Sequence, residues 1–154
     1  MKKGLSLIEI IVVVTIMALI ATFSIKAWSY HLVRAEFDNS VLTIVGIFQE
    51  ARNYSTKNLG DEVTYDTIYY VEQTASGIIK ISGDQSDVIE EYDLSDSVAI
   101  SPETWQVSYE APYADFTVVD GGDADGNLVL TVDSLKGDLS ETITVRVLSG
   151  IAER

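Results

Sequence analysis

Glu9 is the side chain whose chemistry sits least easily among its neighbours. It is a carboxylate near the start of an apolar run that reaches Ile25. An ionisable group within a membrane span costs about 2.5–3.5 kcal/mol on insertion scales, so by default it serves a function and has a partner. A second set of side chains with ligand chemistry lies in Asp120-Gly121-Gly122-Asp123-Ala124-Asp125-Gly126-Asn127. Asp120, Asp123, Asp125 and Asn127 are hard oxygen donors of the kind calcium takes. Their spacing departs from the EF-hand loop. Ending that pattern at Asp125-Gly126 puts Gly121 in the first ligand position, and starting it at Asp123 puts Leu128 where Gly is needed. The competing reading of the same residues is a polar hairpin whose Gly and Asn residues supply positive φ. Calcium is therefore a candidate here, and no metal or other cofactor is assigned.

Other chemistry is sparse. Asp84, Asp87, Glu90 and Glu91 read as a solvated loop and strand edge. His31, the only histidine, follows the apolar run; alone it makes no metal site, and a surface contact or a contact with another chain is expected. No Gly-rich phosphate loop, HExxH or nucleophile elbow is present, and Ser149-Gly150 is not one, so no enzyme is expected. The chain has 154 residues, no Cys and a formal net charge of −14. Disulfide staples and thiolate metal sites are thereby excluded. Phosphate neutralisation needs clustered Lys and Arg, so direct nucleic-acid binding is not expected.

The elements that must position these residues follow from hydrophobic pattern. Leu5 to Ile25 is apolar over about 20 residues, enough for one membrane span. Trp28 and Tyr30 stand where an interfacial aromatic anchor belongs. Beyond them, Tyr30, Val33, Phe37, Val41, Ile44, Phe48, Ala51 and Ser55 recur at spacings of three and four, one face of a helix. Asn58-Leu59-Gly60 is a stop signal. Leu5 to Asn58 thus forms one helix of about 80 Å. From Val63 the pattern turns to short β segments: Thr67–Gln73, Ile78–Ser82, Val88–Tyr92, Val98–Ile100, Trp105–Tyr109, Phe116–Val119, Leu128–Val132 and Thr142–Leu148. Turn signals separate them. Ile143, Val145 and Val147 alternate with polar residues as in a half-buried strand, and Ile68/Tyr70 and Ile79/Ile81 suggest the same. The expected fold is α+β: a long N-terminal helix, membrane-spanning in its first half, packed on an antiparallel sheet or small sandwich. Its divisions are a leader at 1–4, a transmembrane helix at 5–25, an amphipathic continuation at 26–59 and a β-rich head at 60–154. Roughly 95–100 residues of head suffice for one small core.

Two ordinary readings of the N-terminus fit less well. A cleaved secretory signal is interrupted by Glu9, lacks an Ala-x-Ala site and would not continue into the amphipathic stripe. A plain single-span anchor leaves Glu9 unexplained.

Met1-Lys2-Lys3-Gly4, then Leu5-Ser6-Leu7-Ile8-Glu9 and the apolar run, resembles the class III signal of type IV pilins and type II secretion pseudopilins: a basic leader, Gly, Phe-Thr-Leu-Ile/Val-Glu and an apolar helix. Leu5 stands for the usual Phe and Ser6 for the usual Thr. Lys26 stands about where the family often has Pro, which puts in doubt the kink or melted stretch associated with that Pro. The resemblance implies cleavage by a prepilin peptidase between Gly4 and Leu5 and N-methylation of Leu5. It implies a single-pass inner-membrane protein with an extracytoplasmic head, surrounded by lipid until an inner-membrane assembly platform moves it into a pilus or pseudopilus. Its partners would be other pilin or pseudopilin subunits. Glu9 would serve subunit docking, pairing with the α-amine of a neighbouring Leu5. The head is most similar to GspH/FimT-type minor pseudopilins. Ala51-Arg52-Asn53-Tyr54-Ser55 with Gly60 and Val63 resembles their helix end. Ile143-Thr144-Val145 with Gly150-Ile151 resembles their closing segment, without the Arg usual after the Gly.

Overall fold

A computed structural model of the chain describes residues 7–57, 67–75, 77–83 and 87–154. The residues from Leu7 to Lys57 form one helix, α1. Among the described residues nine strands follow: β1 (Ile68–Ala75), β2 (Ile78–Ser82), β3 (Val88–Asp93), β4 (Val98–Ser101), β5 (Trp105–Glu110), β6 (Asp115–Asp120), β7 (Leu128–Ser134), β8 (Ser140–Val145) and β9 (Ala152–Glu153). They build a five-stranded sheet in the order β3-β2-β1-β5-β6 and a four-stranded sheet in the order β4-β7-β8-β9. Every pairing is antiparallel. The fold is thus α+β, with the long helix packed against two sheets, as expected. The helix stop at Asn58–Gly60 and the leader lie outside the described residues.

Residues up to Ala35 and residues from Glu36 onward form two separate compact units. In the second, the helical stripe does what its spacing requires. Phe37, Val41, Ile44, Phe48, Ala51 and Ser55 are all buried, and Ile47 and Ser40 join them. The sheets supply the other walls. Trp105, Val107 and Tyr109 alternate inward on β5, Leu128, Leu130 and Val132 on β7, and Ile143 and Val145 on β8. Strands rich in β-branched and aromatic residues bury one face and wet the other because successive side chains point to opposite sides.

One buried polar side chain organises this core. Gln73 is 2% exposed. Its Oε1 accepts the Trp105 indole N–H at 3.2 Å, and its Nε2 donates to the carbonyls of Glu103 at 2.9 Å and Ile100 at 3.3 Å. Burying an amide and an indole N–H is tolerable only with such partners. The Trp105 ring then stacks on Phe48 of the helix, centroids 5.5 Å apart.

Three expectations change. On β1 the inward residues are Val71 and Gln73, so Ile68 and Tyr70 belong to the opposite face. A short run with apolar residues on both faces leaves that choice to the partners it meets. The last long strand ends at Val145 rather than Leu148. Gly150 takes φ 59° and its N–H closes a turn on the Arg146 carbonyl at 2.8 Å, so the chain doubles back to pair Ala152 with Val145. Val147 and Leu148 are consequently exposed. Finally, β9 is a two-residue strand, too short for a periodic pattern to announce.

Gly150 also admits no side chain. A Cβ there would lie 2.8 Å from the Tyr109 ring and 2.9 Å from Phe116 Cβ. Gly150→Ala is expected to lower stability by at least about 2 kcal/mol, from clash and positive φ together. Gln73→Leu, which orphans the Trp105 N–H, should cost about 1–3 kcal/mol. Urea unfolding of the detergent-solubilised chain, followed by Trp fluorescence, measures both.

Candidate functional site

The first candidate is the N-terminal part of α1. Every side chain from Leu7 to Lys26 is exposed. The helix is long and apolar enough to cross a membrane. Its few hydroxyls are satisfied within the helix, as lipid requires. Thr15 donates to the Ile11 carbonyl at 2.8 Å, Thr22 to Ala18 at 2.8 Å and Ser24 to Ile20 at 2.9 Å. Glu9 is the one ionisable residue between Leu7 and Ile25, and it has no hydrogen-bond or ion-pair partner among the described residues. Gly4 and Leu5 lie outside the described residues. His31 is exposed with its ring edge-on to Tyr30, centroids 6.2 Å apart.

The second candidate is the loop between β6 and β7. Asp120, Asp123, Asp125 and Asn127 are brought into it, and oxygens of Asp120, Asp123 and Asn127 hold its backbone. Asp123 Oδ1 accepts the backbone N–H groups of Asp125 at 2.9 Å and Asn127 at 2.8 Å. Its backbone N–H donates to the Asn127 carbonyl at 2.8 Å. Asp120 Oδ1 accepts the Gly121 N–H at 2.9 Å. Asn127 Oδ1 accepts the Val147 N–H at 3.1 Å, tying the loop to the turn after β8. Gly121 and Gly126 supply the positive φ; Asn127 contributes its side chain instead. Among the described residues no group of three or more His, Asp or Glu is placed to hold a metal ion.

The third feature ties the helix to the sheets. Lys136 reaches Glu36 at 2.5 Å, Arg154 reaches Asp38 at 2.7 Å, and Arg154 also pairs with Glu141. The Ser97 hydroxyl donates to Glu36 at 2.9 Å. On the other sheet, Tyr92 donates to Glu50 at 2.7 Å and contacts Glu90, and Tyr54 stacks on Tyr69. Glu90, expected as a solvated residue, thus belongs to a polar cluster that spans helix and β3. Sequence pattern does not reveal it, because Glu50 and Glu90 are far apart in the chain. Glu91 pairs with Lys80 across the strands at 3.2 Å.

These contacts move protonation. The Lys136 ammonium and then the Ser97 hydroxyl hold the Glu36 carboxyl below its ordinary 4.5. The Asn127 backbone N–H holds Asp123 below 3.8, and the Ser95 hydroxyl does the same for Asp93. Burial first, then the neighbouring carboxylates, pushes the Tyr54 and Tyr92 phenols up. Compared with protein-family models, curated proteins and solved structures, the chain matches none.

The pH dependence follows. A depressed carboxyl stabilises the fold fully above its unfolded value and loses that contribution as pH falls through the lower folded value. Stability should therefore decline from about pH 4.5 downward. Raised phenols act with the opposite sense, so stability should also decline as pH rises above about 10. Asp123→Asn keeps a hydrogen-bond acceptor and removes the charge. Its urea midpoint is expected to vary less between pH 5 and 3 than that of the parent, in an experiment read at roughly half-unit intervals across the carboxylate range.

Proposed function

We propose that the chain is a structural subunit of a type IV pilus or type II secretion-like pseudopilus, and within that class a minor pseudopilin. The observation that carries this reading is an all-round apolar helix segment, exposed throughout, whose one carboxylate has no partner among the described residues. Lipid can surround the apolar side chains but cannot satisfy Glu9. A second chain can, by bringing an amine beside it when helices pack together. Low dielectric then strengthens the pair, and loss of either member leaves a buried charge uncompensated. The same helix continues as the inner wall of a two-sheet head, which supports a subunit that presents a folded head and contributes its helix to an assembly.

On this reading the leader is removed after Gly4 and Leu5 becomes the methylated N-terminus. The α-amine of one subunit would pair with Glu9 of a neighbour and set the register. The head faces the extracytoplasmic side. The protein has no catalytic role.

The test is mass spectrometry of a sheared-filament fraction. A peptide that begins at an N-methylated Leu5 is expected, at trace abundance relative to the main filament protein. Dominant abundance would make the chain a major pilin. An uncut Met1 terminus, with the protein confined to membranes, would replace the filament reading by a membrane-tethered domain. Glu9→Ala is expected to insert normally and to lose filament incorporation by about a hundredfold or more, from the roughly 3–5 kcal/mol that breaking a buried pair costs. Immunoblots of membrane and filament fractions separate the two steps.

A further inference from the structure

The outer face of the five-stranded sheet carries a groove of about 400 Å³. Its floor is built by register. Tyr70 on the central strand β1 lies directly opposite Ser82 on β2 and Ser108 on β5. With serines at both positions, no large side chain stands directly opposite its ring on either neighbouring strand. One step along, Glu72 lies opposite Gln106, whose Nε2 donates to the Glu72 carboxylate at 3.1 Å. The walls come from the edges. A register shift at Ile81/Ser82 in the β2–β3 pair and another at Gln106/Val107 in the β5–β6 pair interrupt the ladders on both sides. Bulges bend a strand and increase its twist. Val88 and Val119, each just over half exposed, stand at the two rims.

We propose that this groove binds a neutral saccharide unit. A pyranose has an apolar C–H face and a rim of hydroxyls, each both donor and acceptor. Tyr70 offers an aromatic surface for the first, and Val88 and Val119 flank it. Glu72 and Gln106 offer the second two planar side chains held in place by their mutual hydrogen bond. The carboxylate accepts hydroxyl protons; the amide keeps one free N–H and its carbonyl oxygen for the adjacent hydroxyl. The volume lies within the range of small-molecule sites, about 300–1,000 Å³.

Charge selects against other ligands. An anion would meet Glu72 in a chain of net charge −14. Lys80, the cation opposite Glu72, is engaged by Glu91 at 3.2 Å and does not line the groove. A cation would find Glu72 already bonded to Gln106 and facing Lys80. A neutral polyol meets neither conflict. The inference is independent of whether the chain assembles into a filament.

The experiment is an amide NMR titration of the full chain in lauryldimethylamine oxide micelles, a detergent without sugar. The probes are cellobiose, maltose, lactose and diacetylchitobiose at millimolar concentration, with sialyllactose and arginine amide as charged comparisons. Saturable shifts confined to β1, β2 and β5 are expected with at least one neutral disaccharide. Binding should weaken by about tenfold in Tyr70→Ala, the size of a lost stacking contact, and comparably in Gln106→Ala, which keeps the test valid if the first variant loses its fold. Tyr70→Phe retains the ring and should bind nearly as the parent does. Tyr113→Ala, at a tyrosine 82% exposed elsewhere, should change nothing. No saturable shift with any neutral disaccharide, tighter binding of either charged probe, or undiminished binding in folded Tyr70→Ala or Gln106→Ala would overturn the proposal.

Discussion

The contact on which the head depends is Phe48 against Trp105, with Gln73 behind the indole. Phe48 belongs to the helix, Trp105 and Gln73 to adjacent strands of one sheet. The Gln73 amide reaches the carbonyl of Ile100, on the first strand of the other sheet, and that of Glu103 in the connection that follows. Three layers therefore meet at one aromatic pair and one amide. The stacking is dispersive and tolerant of small shifts, whereas the hydrogen bonds demand a single geometry. Together they turn apolar packing, which many arrangements satisfy, into one arrangement.

The helix serves two surroundings through one local rule. From Leu7 to Ile25 nearly every side chain is apolar, and the polar ones bond back to the helix itself. From Phe37 to Ser55 apolar and small residues fall on one stripe and polar ones elsewhere. Backbone geometry is the same in both parts; side-chain chemistry alone determines whether the neighbours are lipid, another helix or a sheet. Glu9 is the exception in the first part: an exposed carboxylate in an otherwise apolar stretch, with no partner among the described residues.

Acidity is handled by local bonds more than by opposite charge. The head has few cations, and Lys80, Lys136, Arg146 and Arg154 all sit in ion pairs, two of which bind the helix to the second sheet. Exposed pairs of this kind each contribute little. Asp93 and Asp123 are instead stabilised by hydroxyl or backbone N–H groups of their own turns. The remaining carboxylates keep the surface hydrated and repel anionic ligands.

Much of the fold was legible before any coordinates. Helical and strand periods come from backbone geometry, so the stripe expected from Tyr30 to Ser55, buried from Phe37 onward with Tyr30 exposed, and eight of the nine strands among the described residues could be read directly. The apolar run pointed to a helix long enough to cross a membrane because bilayer thickness imposes a length on it. What the pattern left open depended on partners distant in sequence. Val71 and Gln73 face inward because Trp105 and Phe48 are there to meet them, and Tyr70 faces outward as a consequence. The Asp120–Asn127 residues were visible as oxygen donors; only the fold showed that Asp120 and Asp123 accept backbone N–H groups of their own loop and that Asn127 accepts the Val147 N–H of the turn after β8. Glu50 and Glu90 meet at Tyr92 for the same reason. Periodicity along a chain determines which residues can share a face, and tertiary contact decides which face is covered and what each polar atom bonds to.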